Sequence, residues 1–270
     1  MAPGHSRREI VMQKHAPDRR HHRCAPKDMS TFETTPSEVT PEIEEFLATV
    51  GKGAPRLVDV DAPPDARAGW CFLNVATEVA AKGGRPLHGW IIWLARGLWL
   101  NAEFHVVRQK DNGDLVDVTP KTDGEHKVLF SPDPRDPDFD FFQRPASIRM
   151  RIYDHDKRRD TVADLLANFS EIRLSYETQK AAKKGLTLVQ SLGMDVKRDR
   201  LAKLIDDLLE NVGVLESMHV PTWKGMICRD PRCERDVARR VRIFERQKAK
   251  LHRMMVAAKV HGTSRDMWRD

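Results

Sequence analysis

The sequence predicts an α+β fold in which a helix packs on an antiparallel sheet, followed by an α-helical C-terminal region. Three observations lead there. Between Leu57 and Phe130, short segments rich in Ile, Val, Trp and Phe alternate with turn signals, the pattern of strands joined by hairpins. Ahead of the main strands, apolar residues recur at helical spacing behind helix-start signals. From about Ile148 the texture changes to longer segments with one apolar stripe each.

The elements follow in order. Residues 1–40 are Pro-, His- and Arg-rich without periodicity and read as a disordered basic tail. Its His21-His22-x-Cys24 cluster does not make a closed metal site, and no metal is expected. Thr40-Pro41-Glu42 starts a helix running to Thr49, stopped by Gly51-Lys52-Gly53. Leu57–Val60 is a strand and Ala62-Pro63-Pro64-Asp65 a loop. A second helix begins near Gly69 or Trp70, with Phe72, Val75, Ala76, Val79 and Ala80 as its apolar positions, and Gly83-Gly84 ends it. Trp90–Leu94 and Leu98–Val107 are strands around an Arg96-Gly97 turn, with His88 in a loop before them. Asp111-Asn112-Gly113 turns the chain into Leu115–Val118, and Lys127–Phe130 is a further strand. Beyond it, 161–168, 175–184, 197–211 and 235–260 read as helices, so the chain divides into a tail (1–40), an α+β core (41–150) and a helical region (151–270).

Composition narrows the class. With 270 residues, 40% apolar and 32% charged, the chain can bury a sizeable core. No run of about 18 apolar residues offers a membrane span, and the N-terminal stretch has no apolar signal region, so a cytoplasmic location is the expectation. Four scattered cysteines make no disulfide framework and suit a reducing compartment. The net charge of +6 is concentrated: Glu234–Asp270 holds eleven Lys/Arg against five Asp/Glu. Cys228 and Cys233 lack partner ligands at zinc-site spacing.

Three residues make a chemical constellation. Cys71 stands at a predicted helix start, where the helix dipole favours a thiolate. His105 lies on a strand whose Ala102, Phe104 and Val106 form the apolar face, leaving Glu103 and His105 on the other. The partner of His105 follows from register. If Asp111-Asn112-Gly113 is a three-residue hairpin loop with a left-handed Gly, Lys110 faces Asp114, Val106 faces Val118 and Val107 faces Asp117. Asp117 is then diagonal to His105 on the same face, with Cα atoms roughly 7–8 Å apart. A two-residue loop would pair Val106 with Thr119 and turn Asp117 away, so the burial pattern selects the first register. Cys71 as nucleophile, His105 as base and Asp117 as orienter give a Cys–His–Asp arrangement.

Gly69-Trp70-Cys71, Glu103-Phe104-His105 and Asp117-Val118-Thr119-Pro120 resemble the motifs of the papain-like superfamily, with the transglutaminase-like branch as the nearest match and NlpC/P60-like hydrolases sharing the logic. The resemblance implies a nucleophile helix packed on an antiparallel sheet and cysteine-dependent acyl transfer on an amide or related substrate, without a cofactor. The chain departs from the pattern in lacking an upstream Gln for an oxyanion hole, which leaves the Cys71 amide and a second donor. Trp70, Asn74 and Glu103 are candidate site-lining residues: Trp70 and Asn74 flank Cys71 within one helical turn, and Glu103 shares the strand face of His105. Of Trp70, Trp90, Trp93 and Trp99, most belong in a core and one can line a groove. A second function class is a non-catalytic binding protein: Arg239–Arg253 is a basic segment suited to an acidic or nucleic-acid partner.

Overall fold

The computed structural model describes residues 32–50, 53–133, 135, 139–153, 166–192, 200–222 and 225–260. Helix α1 (Pro41–Val50) starts where the Thr-Pro-Glu signal places it, with Glu44 N–H donating to the Thr40 carbonyl at 2.9 Å. It turns Ile43, Phe46 and Leu47 to the sheet. Helix α2 (Cys71–Lys82) ends at Gly83, whose φ of 74° suits glycine and whose N–H donates to the Val79 carbonyl. Its buried stripe is Cys71, Asn74, Val75 and Glu78, rotated from the expected one, and Ala76 and Ala80 are exposed. The rotation is possible because the two polar residues it buries are satisfied, Glu78 by Lys82 at 2.8 Å and Asn74 by bonds described below. The alanines lose little by facing water.

Strands β1 (Arg56–Val60), β2 (Arg85–Ala95), β3 (Trp99–Gln109), β4 (Leu115–Asp117) and β5 (Lys127–Pro132) close on themselves in the order β2-β5-β1-β4-β3-β2, a barrel. Strand β6 (Ile148–Arg151) adds to β3 outside that ring. The α+β class holds, but the sheet is not wholly antiparallel: β1 and β4 run parallel, with Val60 opposite Asp117. Strand β2 starts at Arg85, because β3 pairs along its whole length down to Gln109. His88 is therefore a buried strand residue, not a loop residue, its ring stacked 6.1 Å from that of Phe104.

Alternation divides the strands between two cores. Trp90, Ile92, Leu100, Ala102, Phe104, Val106 and Leu129 pack with α1 and α2, while Val58, Ile91, Val107, Val128 and Phe130 form a cluster on the other face. Gly89, opposite His105, sits where β2 leaves no room for a side chain against β5: a Cβ there would lie 2.4 Å from the Ser131 carbonyl oxygen. Residues 32–40, expected to be tail, lie against the barrel. Thr34 exchanges two backbone hydrogen bonds with Leu94, and Thr35 Oγ1 accepts from Leu129 N–H at 2.9 Å.

The C-terminal region holds α3 (Glu171–Ala182), short α4 (Leu188–Ser191), α5 (Arg200–Ser217) and α6 (Glu234–Val260). Ser170 caps α3 by accepting from Arg173 N–H, which moves the helix start ahead of the expected Ser175. The expected helix over 161–168 lies largely outside the described residues. The region is not purely helical: β7 (His219–Thr222) and β8 (Gly225–Cys228) form a hairpin. Leu201, Leu204, Ile205 and Leu208 of α5 meet Val237, Phe244 and Leu251 of α6 over Ala95, Leu98 and Trp99, the tip of the β2–β3 hairpin. Arg149 of β6 and Glu216 of α5 pair at 2.8 Å, fastening the helices beside the open edge of β3.

Candidate active site

The site forms where, among the described residues, β3 has no strand on one edge. Residues 99–102 of that edge pair with β6 and residues 108–109 with β4, and the stretch between them carries His105. The register is the one that burial selects: Arg108 opposes Val116, Gln109 opposes Leu115, and Lys110 N–H donates to Asp114 O at 2.8 Å across a loop closed by Gly113 at φ 90°. Asp117 thereby reaches His105, and the Nε2–Oδ2 distance is 3.0 Å. Both side chains are buried, Asp117 completely.

Asp117 is held from every side. Its Oδ1 accepts the Thr119 amide at 2.9 Å, and its Oδ2 also receives the Lys121 ammonium at 2.5 Å. Lys121, itself 7% exposed in its side chain, was not among the residues singled out from the sequence. Its only signal is the i, i+4 spacing to Asp117 across Thr-Pro. Burial would raise the Asp117 carboxyl, but His105 and Lys121 hold it well below the ordinary carboxylate range. Burial pulls His105 down and Lys121 opposes its charge, yet the negative charges of Asp117 and of Cys71 raise it to about 9. These charges favour the imidazolium form of His105, which lies within electrostatic reach of the Cys71 sulfur.

Cys71 is the first residue of α2 and is buried. The residue before it, Trp70, gives no side-chain cap, and the first intrahelical bond is Asn74 N–H to Trp70 O. Among the described residues, the amides of Cys71, Phe72 and Leu73 have no hydrogen-bond partner at this helix end. Asn74 does not line the cavity. Its side chain clamps the approach to Cys71: Oδ1 accepts Arg67 N–H at 3.1 Å, and Nδ2 donates to Arg67 O at 2.9 Å and Thr119 Oγ1 at 3.2 Å. One residue thus ties the loop before the cysteine to the loop after the aspartate.

Cys71 borders two cavities. The larger, of about 460 Å³, also touches His105, Lys121, Glu103 and Trp93, and is walled on the far side by Arg149, Glu216 and Met226. The smaller, of about 90 Å³, is mostly apolar and is lined by Trp70, Phe72, Phe141, Phe142 and Met226. The C-terminal region therefore supplies part of both walls. Trp70 lies under the Arg67 guanidinium at 5.1 Å, and Glu103 accepts Trp93 Nε1–H at 3.1 Å. Trp90 and Trp99 are core residues. Glu33, another residue missed in the sequence, lines the larger cavity; its carboxylate accepts from Trp99 Nε1 at 2.7 Å and from Asn101 Nδ2 at 3.3 Å, and burial raises its pKa.

Among the described residues no three His, Cys, Asp or Glu side chains group as metal ligands. Cys228 instead lies 3.8 Å from His219 Nε2, packed against the α5–α6 cluster. The His21-His22-x-Cys24 cluster is outside the described residues. No described helix is long and apolar enough to cross a membrane. Comparison with protein-family models, with curated proteins and with solved structures found no match.

Proposed function

We propose that the chain is a cysteine-dependent acyl-transfer enzyme acting on an amide or peptide bond, with Cys71 as nucleophile, His105 as acid–base and Asp117 as orienter. The observation that carries this reading is the buried His105–Asp117 pair at 3.0 Å sharing one cavity with a cysteine at an uncapped helix N-terminus. A structural histidine in a core needs no imidazolium, and a structural cysteine needs neither a helix end nor a cavity.

Asp117 engages Nε2 of His105, which leaves Nδ1 as the nitrogen for the thiol. In the reactive form the thiol proton already sits on that nitrogen, which makes the pair a thiolate and an imidazolium. The thiolate attacks the substrate carbonyl carbon, a C–S bond forms, and the electron pair moves to oxygen. The first-turn amides of α2 meet that oxyanion, taking the place of the absent Gln. Collapse breaks the C–N bond as His105 gives its proton to the leaving amine. Water or a second amine then attacks the thioester, His105 takes the attacking proton, and the thiolate departs. No step requires a cofactor. The papain-like, transglutaminase-like reading of residues 41–150 rests on the helix that opens on the cysteine and on neighbouring strands that carry His and Asp, while the closed barrel with its parallel β1–β4 pair departs from the antiparallel sheet that reading expects. Sparse, scattered cysteines fit the cytoplasmic location expected for the chain.

The test is the pH dependence of iodoacetamide alkylation at each cysteine, read by mass spectrometry. Cys71 should react fastest near neutral pH, and His105→Ala should slow it by at least about tenfold with the fold retained. A Cys71 that stays inert until denaturation, or that reacts equally in both proteins, refutes the assignment.

A further inference from the structure

Helix α6, none of whose residues line the Cys71 cavities, carries a second feature. Arg235, Arg239, Arg242, Arg246, Lys250 and Arg253 follow one another at steps of three or four residues, which on an α-helix is a single continuous stripe. All six are exposed. The residues that α6 buries, Val237, Phe244 and Leu251, lie on the opposite side. Cations nearer the buried side have internal work: Arg240 donates to Asn211 Oδ1 at 3.2 Å, and the Lys248 ammonium lies 5.9 Å from the Phe244 ring. The six stripe residues have no ion-pair or hydrogen-bond partner among the described residues. The acids of the helix, Glu234, Asp236 and Glu245, fall off the stripe.

We infer that this stripe is a docking surface for double-stranded DNA, gripped through its phosphates without base readout. Arg235 to Arg253 spans about 27 Å at 1.5 Å per residue, with one cation roughly every 5 Å. That is the length of about eight base pairs at 3.4 Å each. Five of the six cations are arginines, whose planar fork matches a phosphate in a bidentate contact. Ala238 and Ala249 flank the stripe on one side and half-buried Ile243 on the other, so the helix backbone can approach closely along the alanine side. The B-form major groove, about 12 Å wide, admits a helix. Other polyanions fit less well. The stripe has no aromatic residue on which unpaired bases could stack, and the single bulky apolar residue beside it, half-buried Ile243, makes no apolar face to enter a lipid surface.

The test is fluorescence anisotropy of the full chain with a labelled mixed-sequence duplex of about 20 base pairs, titrated from 50 to 200 mM salt. A same-length single strand, phosphatidylserine vesicles and polyglutamate serve as the comparison arms. Six phosphate contacts give a log–log salt slope near −5, so affinity should fall about a thousandfold over that range. Arg239→Gln/Arg242→Gln/Arg246→Gln should flatten the slope by about 3 with unchanged circular dichroism. Arg235→Gln/Arg253→Gln, at the ends of the stripe, should flatten it by about 2 and serves as the independent variant. A slope shallower than about −2, duplex binding unchanged in the variants, or tighter binding to the single strand, the vesicles or polyglutamate would overturn the inference.

Discussion

Replacing Asp117 by Asn tests the electrostatic centre of the site without changing its shape. In the native chain His105 is raised from the ordinary 6.5 to about 9, mainly against burial, by Asp117 and Cys71. The raised value favours the protonated native state by about 3 kcal/mol at 1.36 kcal/mol per unit. The sign is that of a group whose folded pKa exceeds its unfolded one. The stabilisation is full below about pH 6.5 and is lost as pH rises through about 9. With the carboxylate gone, burial and the Lys121 charge both push His105 below 6.5. Thermal melts between pH 6 and pH 9.5 should therefore show the wild-type Tm falling with pH, and Asp117→Asn with a lower Tm and little slope. Nuclear magnetic resonance of the His105 ring should show titration near 9 in the wild type and below 6.5 in the variant. Because Lys121 would be stranded without its counter-ion, Asp117→Asn/Lys121→Met separates loss of the His105 interaction from the cost of a buried cation. A wild-type His105 that titrates near 6.5, or parallel pH slopes in all three proteins, refutes the reasoning.

Three further outcomes follow from the geometry. Asn74→Ala removes three hydrogen bonds that join the Arg67 and Thr119 loops, and should cost about 1–3 kcal/mol while leaving the His105 titration in place, as read by denaturant melts and ring resonances. Gly89→Ala forces a methyl group to within 2.4 Å of the Ser131 carbonyl oxygen and should lower Tm by roughly 5–10 °C, measurable by calorimetry; an unchanged Tm would mean the strands separate freely there. Glu33→Gln removes a buried carboxyl whose pKa burial raises, so the stability the native chain loses as pH climbs above about 4.5 should be retained in the variant, and urea titrations at pH 4.5 and 8 should show a smaller difference.

What the sequence could reveal divides along local and non-local lines. The β3–β4 register was legible because alternation leaves only one alignment that buries Val106 and Val118 together, and the His105–Asp117 contact came with it. The face of α2 was not: Asn74 and Glu78 look solvent-facing until their partners are known, and those of Asn74 are the backbone of Arg67 in the loop before the helix and Thr119 beyond the end of β4. Residues 32–35 carry no strand pattern, and their order rests on Trp99 and Leu129, 66 and 94 residues away. The β7–β8 hairpin, with four-residue strands, one containing Pro221, gives too short an alternation to read.

Lys121 joins these two levels. From sequence it is an exposed-type residue after a Thr-Pro turn, whereas in the fold it shares Asp117 Oδ2 with His105. Asp117 and Lys121 act oppositely on the histidine. Asp117 alone, in so buried a setting, would drive His105 still higher and make the imidazolium a poorer proton donor to a leaving amine. Lys121 lowers His105 by its charge while helping to keep Asp117 ionised. Lys121→Met should therefore raise the His105 titration above about 9 and carry fast Cys71 alkylation to higher pH, without removing the His105–Asp117 bond. A downward shift instead would mean that Lys121 supports Asp117 more than it opposes His105, and the balance of charges proposed for the site would have to be reversed.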